Sequence, residues 1–375
     1  MLGLSAVWGV WWGIVRGNGF GAVFFDANAW LYFLMAFPLL TLVSEGRGEL
    51  FLKQTATFVL GACLANALLT LALFHIFAHQ YTFTPTLYQW VRGVQLGEIT
   101  FIRPGAWRVF LQSQVWLLFA AAWYFIVANF QSVQKLKVNL LLLSVVVSAL
   151  FISFSRSYWI GLAALFFSGT VLLLRNHVVS WKRIIIVVIG GVAGAIVLTI
   201  TFQRLPPIPA GIPLRERLSM EAAGSSRMNQ LYPLLKAISK HPILGSGFGA
   251  AVTYQSTDPR IVARSPGGSG MYTTSAFEWG YLDIWLKIGL VGLASYLWLL
   301  LHILNEIYKE CISLPISNDR GILVRVSFLL TLFCALIAVM SVNITSPYLN
   351  HPLGIGMVLL GICVTIINGK AYITE

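Results

Sequence analysis

Ten apolar stretches punctuate this chain, near residues 1–16, 29–44, 54–75, 107–128, 138–154, 157–175, 184–203, 281–303, 324–343 and 353–369. Most approach the roughly 20 residues that a helix needs to cross about 30 Å of hydrocarbon. A chain patterned in this way folds as a bundle of membrane-spanning helices, because every backbone polar group in lipid must bond within its own segment. Composition agrees: charged residues make up 10% of the sequence and hydrophobic ones 58%, too little charge to cover a water-soluble surface. The expected fold is an all-α polytopic membrane protein of about ten helices. The first run lacks a basic flank and a small-residue cleavage site, so it reads as a helix and not as a signal peptide.

Basic residues in short loops orient the bundle. Arg47 and Lys53, then Lys135 and Lys137, then Arg175, Lys182 and Arg183 mark cytoplasmic loops. Lys309, Arg320 and Arg325 mark a fourth, and Lys370 places the C-terminus inside. Ten spans then put both termini in the cytoplasm. The outer face receives two longer segments, 76–106 and 204–277. The expected organisation is therefore an N-terminal bundle of about seven helices over 1–203, an outer loop over 204–277, and about three helices over 278–375. The loop carries four prolines at 206, 207, 209 and 213, then a pattern that predicts an amphipathic helix from Ser225 to Lys240. Ser225 or Ser226 would cap that helix and His241-Pro242 would stop it. The four cysteines at 63, 311, 334 and 363 fall in spans or a cytoplasmic loop, which leaves none for an outer disulfide or a metal cluster.

Arginine is distributed against the orientation rule. On this topology Arg16, Arg92, Arg103, Arg108, Arg156, Arg204, Arg215, Arg217, Arg227, Arg260 and Arg264 lie outside or at the outer edge, eleven of the sixteen in the chain. Lysine does not follow: only Lys236 and Lys240 lie outside, and Lys287 sits within a span. A guanidinium binds phosphate bidentately and stays charged in a half-dry site, so the excess points to an anionic ligand at headgroup level. For the loop arginines, contact with lipid headgroups accounts for the pattern equally well. Arg156 lies in the hairpin between two spans, where an ionisable group is costly enough to require a partner or a ligand, with snorkelling to headgroups the alternative. Arg103 and Arg108 flank the start of the fourth span, and Arg227 opens the outer helix.

Candidate acid–base groups are few. His241 at a helix end and His351 in the turn Asn350-His351-Pro352 both read first as structural. Glu278 lies just before a span, followed by Asp283. A carboxylate there can act as a general base beside positive charge, or simply pair with one of the arginines; both readings stay open. Asp26, Glu98, Glu216, Glu221 and Asp258 look scattered. No Walker A loop, no GxGxxG opening a helix, no metal-ligand spacing and no DxD pair is present, so neither metal nor cofactor is expected, nor a nucleic-acid partner.

The segment Ser155-Arg156-Ser157-Tyr158-Trp159-Ile160-Gly161-Leu162 resembles the Ser-Arg-Ser-x-Trp-x-Gly block of the O-antigen ligase and O-antigen polymerase superfamily. Arg227 followed by His241-Pro242-Ile243-Leu244-Gly245-Ser246-Gly247-Phe248-Gly249 resembles that family's outer helix and its His-Pro-x-x-Gly-x-Gly turn. Tyr281-Leu282 with Lys287-Ile288-Gly289-Leu290-Val291-Gly292 resembles the next block, and Arg103-Pro104-Gly105 an earlier outer loop. The likeness runs over residues 100–300 in the family's order. It implies a GT-C-like, metal-independent glycosyltransferase of the bacterial inner membrane with one large periplasmic loop. Such an enzyme takes a glycan from undecaprenyl pyrophosphate and passes it to the lipid A core, in lipopolysaccharide biosynthesis, or to a second lipid-linked glycan, as in an O-antigen or exopolysaccharide polymerase. The resemblance carries the pyrophosphate role to Arg103, Arg156 and Arg227, to which the reading of the residues adds Arg108; Arg227 and Glu278 are the expected catalytic pair, with His241 and Asp283 as further candidates.

Two departures stand out. Ligases carry His-Asn eleven residues before the glycine matching Gly289, where this chain has Glu278-Trp279, which favours a polymerase-like member. The large loop also follows two fewer spans than in the family pattern, as if two N-terminal helices were missing. Outside the enzyme class, a transporter or flippase for a lipid-linked oligosaccharide, or a non-catalytic subunit, would use the same surface. The first predicts inverted repeats and helices broken at the midplane, and Gly190, Gly191 and Gly194 read at least as well as packing positions.

Overall fold

The computed structural model of the protein describes residues 1–42, 48–103, 105–131, 133–175, 179–203, 227–257, 259–263, 265–313 and 320–371. In chain order the elements are α1 (Leu2–Val15), α2 (Phe20–Leu31), a 3-10 turn (Tyr32–Met35), α3 (Ala36–Leu42), α4 (Gly48–His79), α5 (Thr84–Gly93), β1 (Gly97–Arg103) and β2 (Ala106–Leu111). A 3-10 turn at Gln112–Trp116 leads into α6 (Leu117–Phe130), followed by α7 (Val133–Ile152), α8 (Arg156–Arg175) and α9 (Trp181–Phe202). Then come α10 (residues 227–238), β3 (Val252–Gln255), α11 (Pro259–Val262), β4 (Met271–Thr274), α12 (Gly280–Ser313), α13 (Arg320–Val342) and α14 (Pro352–Ala371). Among the described residues eight helices are long and apolar enough to cross a membrane, and Leu2–Val15 and Pro352–Ile367 are shorter apolar helices. These ten correspond to the ten apolar runs, and the chain is an all-α, multi-pass membrane protein with two small hairpins.

The chain divides into two compact units that interleave in sequence. One comprises Met1–Ala36, Ala210–Ile303 and Asn343–Leu359; the other comprises Phe37–Pro209, Leu304–Val342 and Leu360–Glu375.

The second unit is built round α6, buried along nearly its whole length. Small residues let its neighbours close up: a Cβ on Gly169 would meet the Phe125 ring at 2.7 Å, and one on Gly191 would meet Leu143 at 2.6 Å. The α9 glycines are therefore packing positions against α7, where backbone approach substitutes for the hydrophobic drive that lipid removes. Arg183 from α9 donates to the carbonyls of Ala128 (2.9 Å) and Gln131 at the end of α6, satisfying acceptors that a helix C-terminus leaves open.

The sequence misplaced one boundary here. Residues 107–111 read as the start of a span, but Ala106–Leu111 forms β2, antiparallel to β1 with Gly97 opposite Leu111. Its alternation explains the change: Ala106, Val109 and Leu111 are buried, and Ile99 and Val109 join Phe74, Phe77 and Val91 in one apolar cluster. A continuous apolar run cannot by itself distinguish a short buried strand from the first turn of a helix.

In the first unit α10 packs on its buried side through Leu234 and Ile238 against Ala250, Val252, Phe277 and Leu286, with Trp279, Leu282 and Trp285 alongside. The β3–β4 hairpin pairs Val252 with Thr274 and Gln255 with Met271. Residues 227–238 thus form the helix anticipated at 225–240, and its proposed caps Ser225 and Ser226 lie outside the described residues, as do Arg204, Arg215, Arg217 and Arg264.

Candidate functional site

Helix α12 is broken at Gly289, whose φ of 70° and ψ of −179° lie outside helical space. The break exposes backbone groups that a regular helix would use internally, and the glycine-rich turn 241–249 occupies it. Ser246 N donates to Leu286 O (2.7 Å) and Gly247 N to Lys287 O (3.0 Å). In return Leu290 N donates to Pro242 O (2.9 Å) and Val291 N to Ile243 O (3.3 Å). Gly245, at φ 76°, lies so close that a Cβ would meet Lys287 O at 2.6 Å; Gly247, at φ 83°, leaves no room between itself and the backbone of Gly13 in α1. Phe248 N donates to Gly9 O (2.8 Å), and Asn18 Nδ2 bonds the carbonyls of Ser246 (3.1 Å) and Phe248 (2.9 Å). Here glycine is required twice over, by positive φ and by backbone-to-backbone contact.

Beside this turn lies a cluster of ionisable groups that sequence reasoning scattered. Lys287 Nζ stands 2.8 Å from Asp26 Oδ1 and 2.7 Å from Asp283 Oδ1, with all three side chains at most 6% exposed. The second oxygen of Asp26 accepts the Gly249 N–H (2.7 Å), and the second oxygen of Asp283 accepts Asn350 Nδ2. Asp26 had looked like an isolated outer acid because its apolar run begins at 29, but the helix starts at Phe20 and carries Asp26 inside the span Phe20–Leu42. A carboxylate is tolerated there because an ammonium pairs with it. Asp283 likewise bonds inward to Lys287 and Asn350 and is wholly buried. One signal was available: an Asp and a Lys four residues apart in an otherwise apolar run lie on one helix face and need a partner.

Nearer the start of α12 is a second, half-exposed pair. The guanidinium of Arg227, in α10, bonds the carboxylate of Glu278, two residues before α12 begins; their side chains are 35% and 50% exposed. Trp279 Nε1 donates to Arg227 O (3.1 Å), and Glu278 N to Gln230 Oε1 (3.4 Å), so α10 and the segment leading to α12 are tied together at this level. The structure brings together the two residues that the sequence named as catalytic, and does so as an ion pair.

His241 follows α10, with its backbone N–H bonded to Ile238 O (3.1 Å) and its carbonyl accepting from Gly245 N (3.0 Å). His351 Nδ1 accepts the Leu353 N–H (3.3 Å) at the head of α14, and burial lowers its pKa.

The remaining candidates belong to the second unit. Arg108, in β2, donates from Nε to Ser153 O (2.9 Å) and lies over the Phe110 ring at 5.0 Å, tying the hairpin to the Ser155-Arg156 turn. Arg156 is the exposed first residue of α8. Arg103 ends β1. Among the described residues no three His, Cys, Asp or Glu side chains gather as a metal ion would require.

Residues 138–297 match a family model described as O-antigen ligase. The matched segment runs from α7 into α12 and contains Arg156, Arg227, His241, Glu278, Asp283 and Lys287, whereas Asp26, Arg103, Arg108 and Asn350 lie outside it. No curated protein and no solved structure matches the chain significantly.

Proposed function

Since residues 138–297 match a family model described as O-antigen ligase, we propose that the protein transfers a glycan from undecaprenyl pyrophosphate at the periplasmic face of the inner membrane. The family match supports ligase- or polymerase-type glycan transfer in general. The observation carrying the finer reading is the half-exposed Arg227–Glu278 pair. An exposed ion pair is worth little, about 0–1 kcal/mol, so an incoming pyrophosphate displaces the carboxylate from the guanidinium at small cost. The phosphate then takes the guanidinium, and the released carboxylate is free to act as base.

In this reading an acceptor hydroxyl oxygen attacks the anomeric carbon of the donor sugar, and inverts it. The bond from that carbon to the pyrophosphate oxygen breaks as the new glycosidic bond forms. The hydroxyl proton passes to Glu278, and Arg227 stabilises the charge gathering on the departing pyrophosphate. Arginine supplies what a divalent metal supplies elsewhere, so the reaction proceeds without one. The acceptor is the lipid A core or a second lipid-linked glycan; glutamate in place of the ligase histidine favours the latter. The outer loop 204–277 is periplasmic and both termini are cytoplasmic in this reading.

The test is transfer from an undecaprenyl-pyrophosphate donor by purified protein in nanodiscs with EDTA present. Arg227→Ala is expected to lower turnover by about 10²–10³-fold, and Glu278→Gln by about 10²–10⁴-fold. A ladder of product lengths marks a polymerase and a single addition marks a ligase. Transfer that survives both substitutions overturns the reading, and donor binding without turnover on any acceptor replaces it with a carrier or accessory subunit.

A further inference from the structure

The turn 241–249 carries features that water would not require. Every backbone N–H from Gly245 to Gly249 donates to a protein acceptor: His241 O, Leu286 O, Lys287 O, Gly9 O and Asp26 Oδ2 in order. Most of the turn's carbonyls are answered too. Leu290 N and Trp285 Nε1 (2.8 Å) donate to Pro242 O, Trp8 Nε1 (2.9 Å) to Leu244 O, and Asn18 to Ser246 O and Phe248 O. A surface loop leaves such groups to solvent, whereas irregular backbone at membrane depth survives only when protein satisfies it.

Depth follows from α12. The helix has 34 residues, interrupted at Gly289, more than the roughly 20 that about 30 Å of hydrocarbon requires. Its apolar stretch runs from Ile284 to Leu304, beyond which come Asn305, Glu306, Lys309 and Glu310. The partners of Pro242 and Ile243, at Leu290 and Val291, lie six and seven residues beyond Ile284, inside that stretch. Yet Ile243 is 62% exposed and Leu244 is exposed beside it. The preceding helix repeats the pattern: Met228, Tyr232 and Leu235, at helical spacing, are exposed on the side away from Leu234 and Ile238, and Lys236 and Lys240 follow them. Indoles from Trp8 and Trp285 bonding the turn's carbonyls fit a boundary where one end of the ring is wet and the other apolar.

We infer that the turn 241–249 is a re-entrant segment immersed in the outer leaflet, with Ile243 and Leu244 against acyl chains. Helix α10 lies at the interface above it, its apolar stripe Met228–Tyr232–Leu235 in lipid and its lysines among anionic headgroups. The buried Asp26 is part of the same construction, since its carboxylate receives the Gly249 N–H where no water reaches. The consequence for chemistry is a reactive pair held at headgroup level, where a lipid-linked phosphate resides.

Spin labels decide this without any substrate, so the result stands apart from the glycan-transfer reading. The full chain is labelled singly at Ile243→Cys, Leu244→Cys and Tyr232→Cys and reconstituted in liposomes containing anionic lipid. Trp298→Cys, on the exposed flank of α12, serves as the lipid standard, and Met271→Cys on the hairpin as the aqueous one; the native cysteines are buried. Collision rates with oxygen and with a water-soluble nickel chelate are compared. Labels at 243 and 244 are expected to match position 298, favouring oxygen, with 232 intermediate between the standards. Nickel accessibility at 243 and 244 equal to that at 271 overturns the proposal. So does poor collision with both reagents, which would show a protein partner over the turn.

Discussion

Lys287 is the group on which the first unit's buried electrostatics turn. It stands 2.8 and 2.7 Å from two carboxylates, so the trio carries one net negative charge. Lys287→Met keeps the volume and removes the cation, leaving two buried carboxylates without compensation. Removing one partner of a buried ion pair costs about 3–5 kcal/mol, which for a chain of this size lowers the Tm by roughly 5–15 °C. Asp26→Asn does the opposite to the balance: Lys287 and Asp283 remain as a neutral pair, and the new amide oxygen still accepts the Gly249 N–H. Its cost is the Lys287–Asp26 bond, which an amide N–H cannot replace, and a weakened bond from Gly249, together about 2–3 kcal/mol. The triple variant Asp26→Asn/Lys287→Met/Asp283→Asn buries no charge and is expected above Lys287→Met in stability, since uncompensated charge and not lost contact dominates. Thermal loss of monodisperse protein in one detergent ranks the variants. Lys287→Met as stable as Asp26→Asn, or a triple variant no better than Lys287→Met, refutes the reasoning.

Gly247→Ala forces a Cβ into the backbone of Gly13 at φ 83° and is expected to cost at least about 1–3 kcal/mol. Gly61→Ala, within α4 and open to space, should instead gain about 0.5–1 kcal/mol; the same melting assay compares them. Arg183→Gln removes the charged donor to the end of α6 and should destabilise by about 1.5–3 kcal/mol, read as a lower Tm with wild-type membrane insertion. His351 binds fewer protons folded than unfolded because burial lowers its pKa from 6.5. Stability is therefore retained above that value and lost as pH falls through it, the more so because protonation ends acceptance of the Leu353 N–H. His351→Asn, which keeps an acceptor at the helix start, should flatten the pH dependence of the Tm between about pH 7 and 5.

The candidate site was legible in part. Arg227 and Glu278 were named from a helix start and a span edge, 51 residues apart, and they meet. Asp26 and Lys287, 261 residues apart, were not linked, because an acid near a span boundary and a lysine within a span look unrelated until a fold joins them. Asn350 carried no signal at all: its role is a single bond to Asp283 from a turn between two other helices.

The sequence by itself determined that this chain lives in a membrane and the order of its apolar helices, though not every boundary. Apolar length is a local property, and each spanning helix satisfies its own backbone. The glycines at 245, 247 and 289 entered the sequence reading only as parts of a resemblance, and what they approach could not be read. Tertiary structure alone decided that the turn 241–249 fills the break in α12, that α1 lies against it, and that Asp26, Lys287 and Asp283 neutralise one another in part. These are pairings between distant segments, set by which backbone groups and charges would otherwise be left unsatisfied where water is absent.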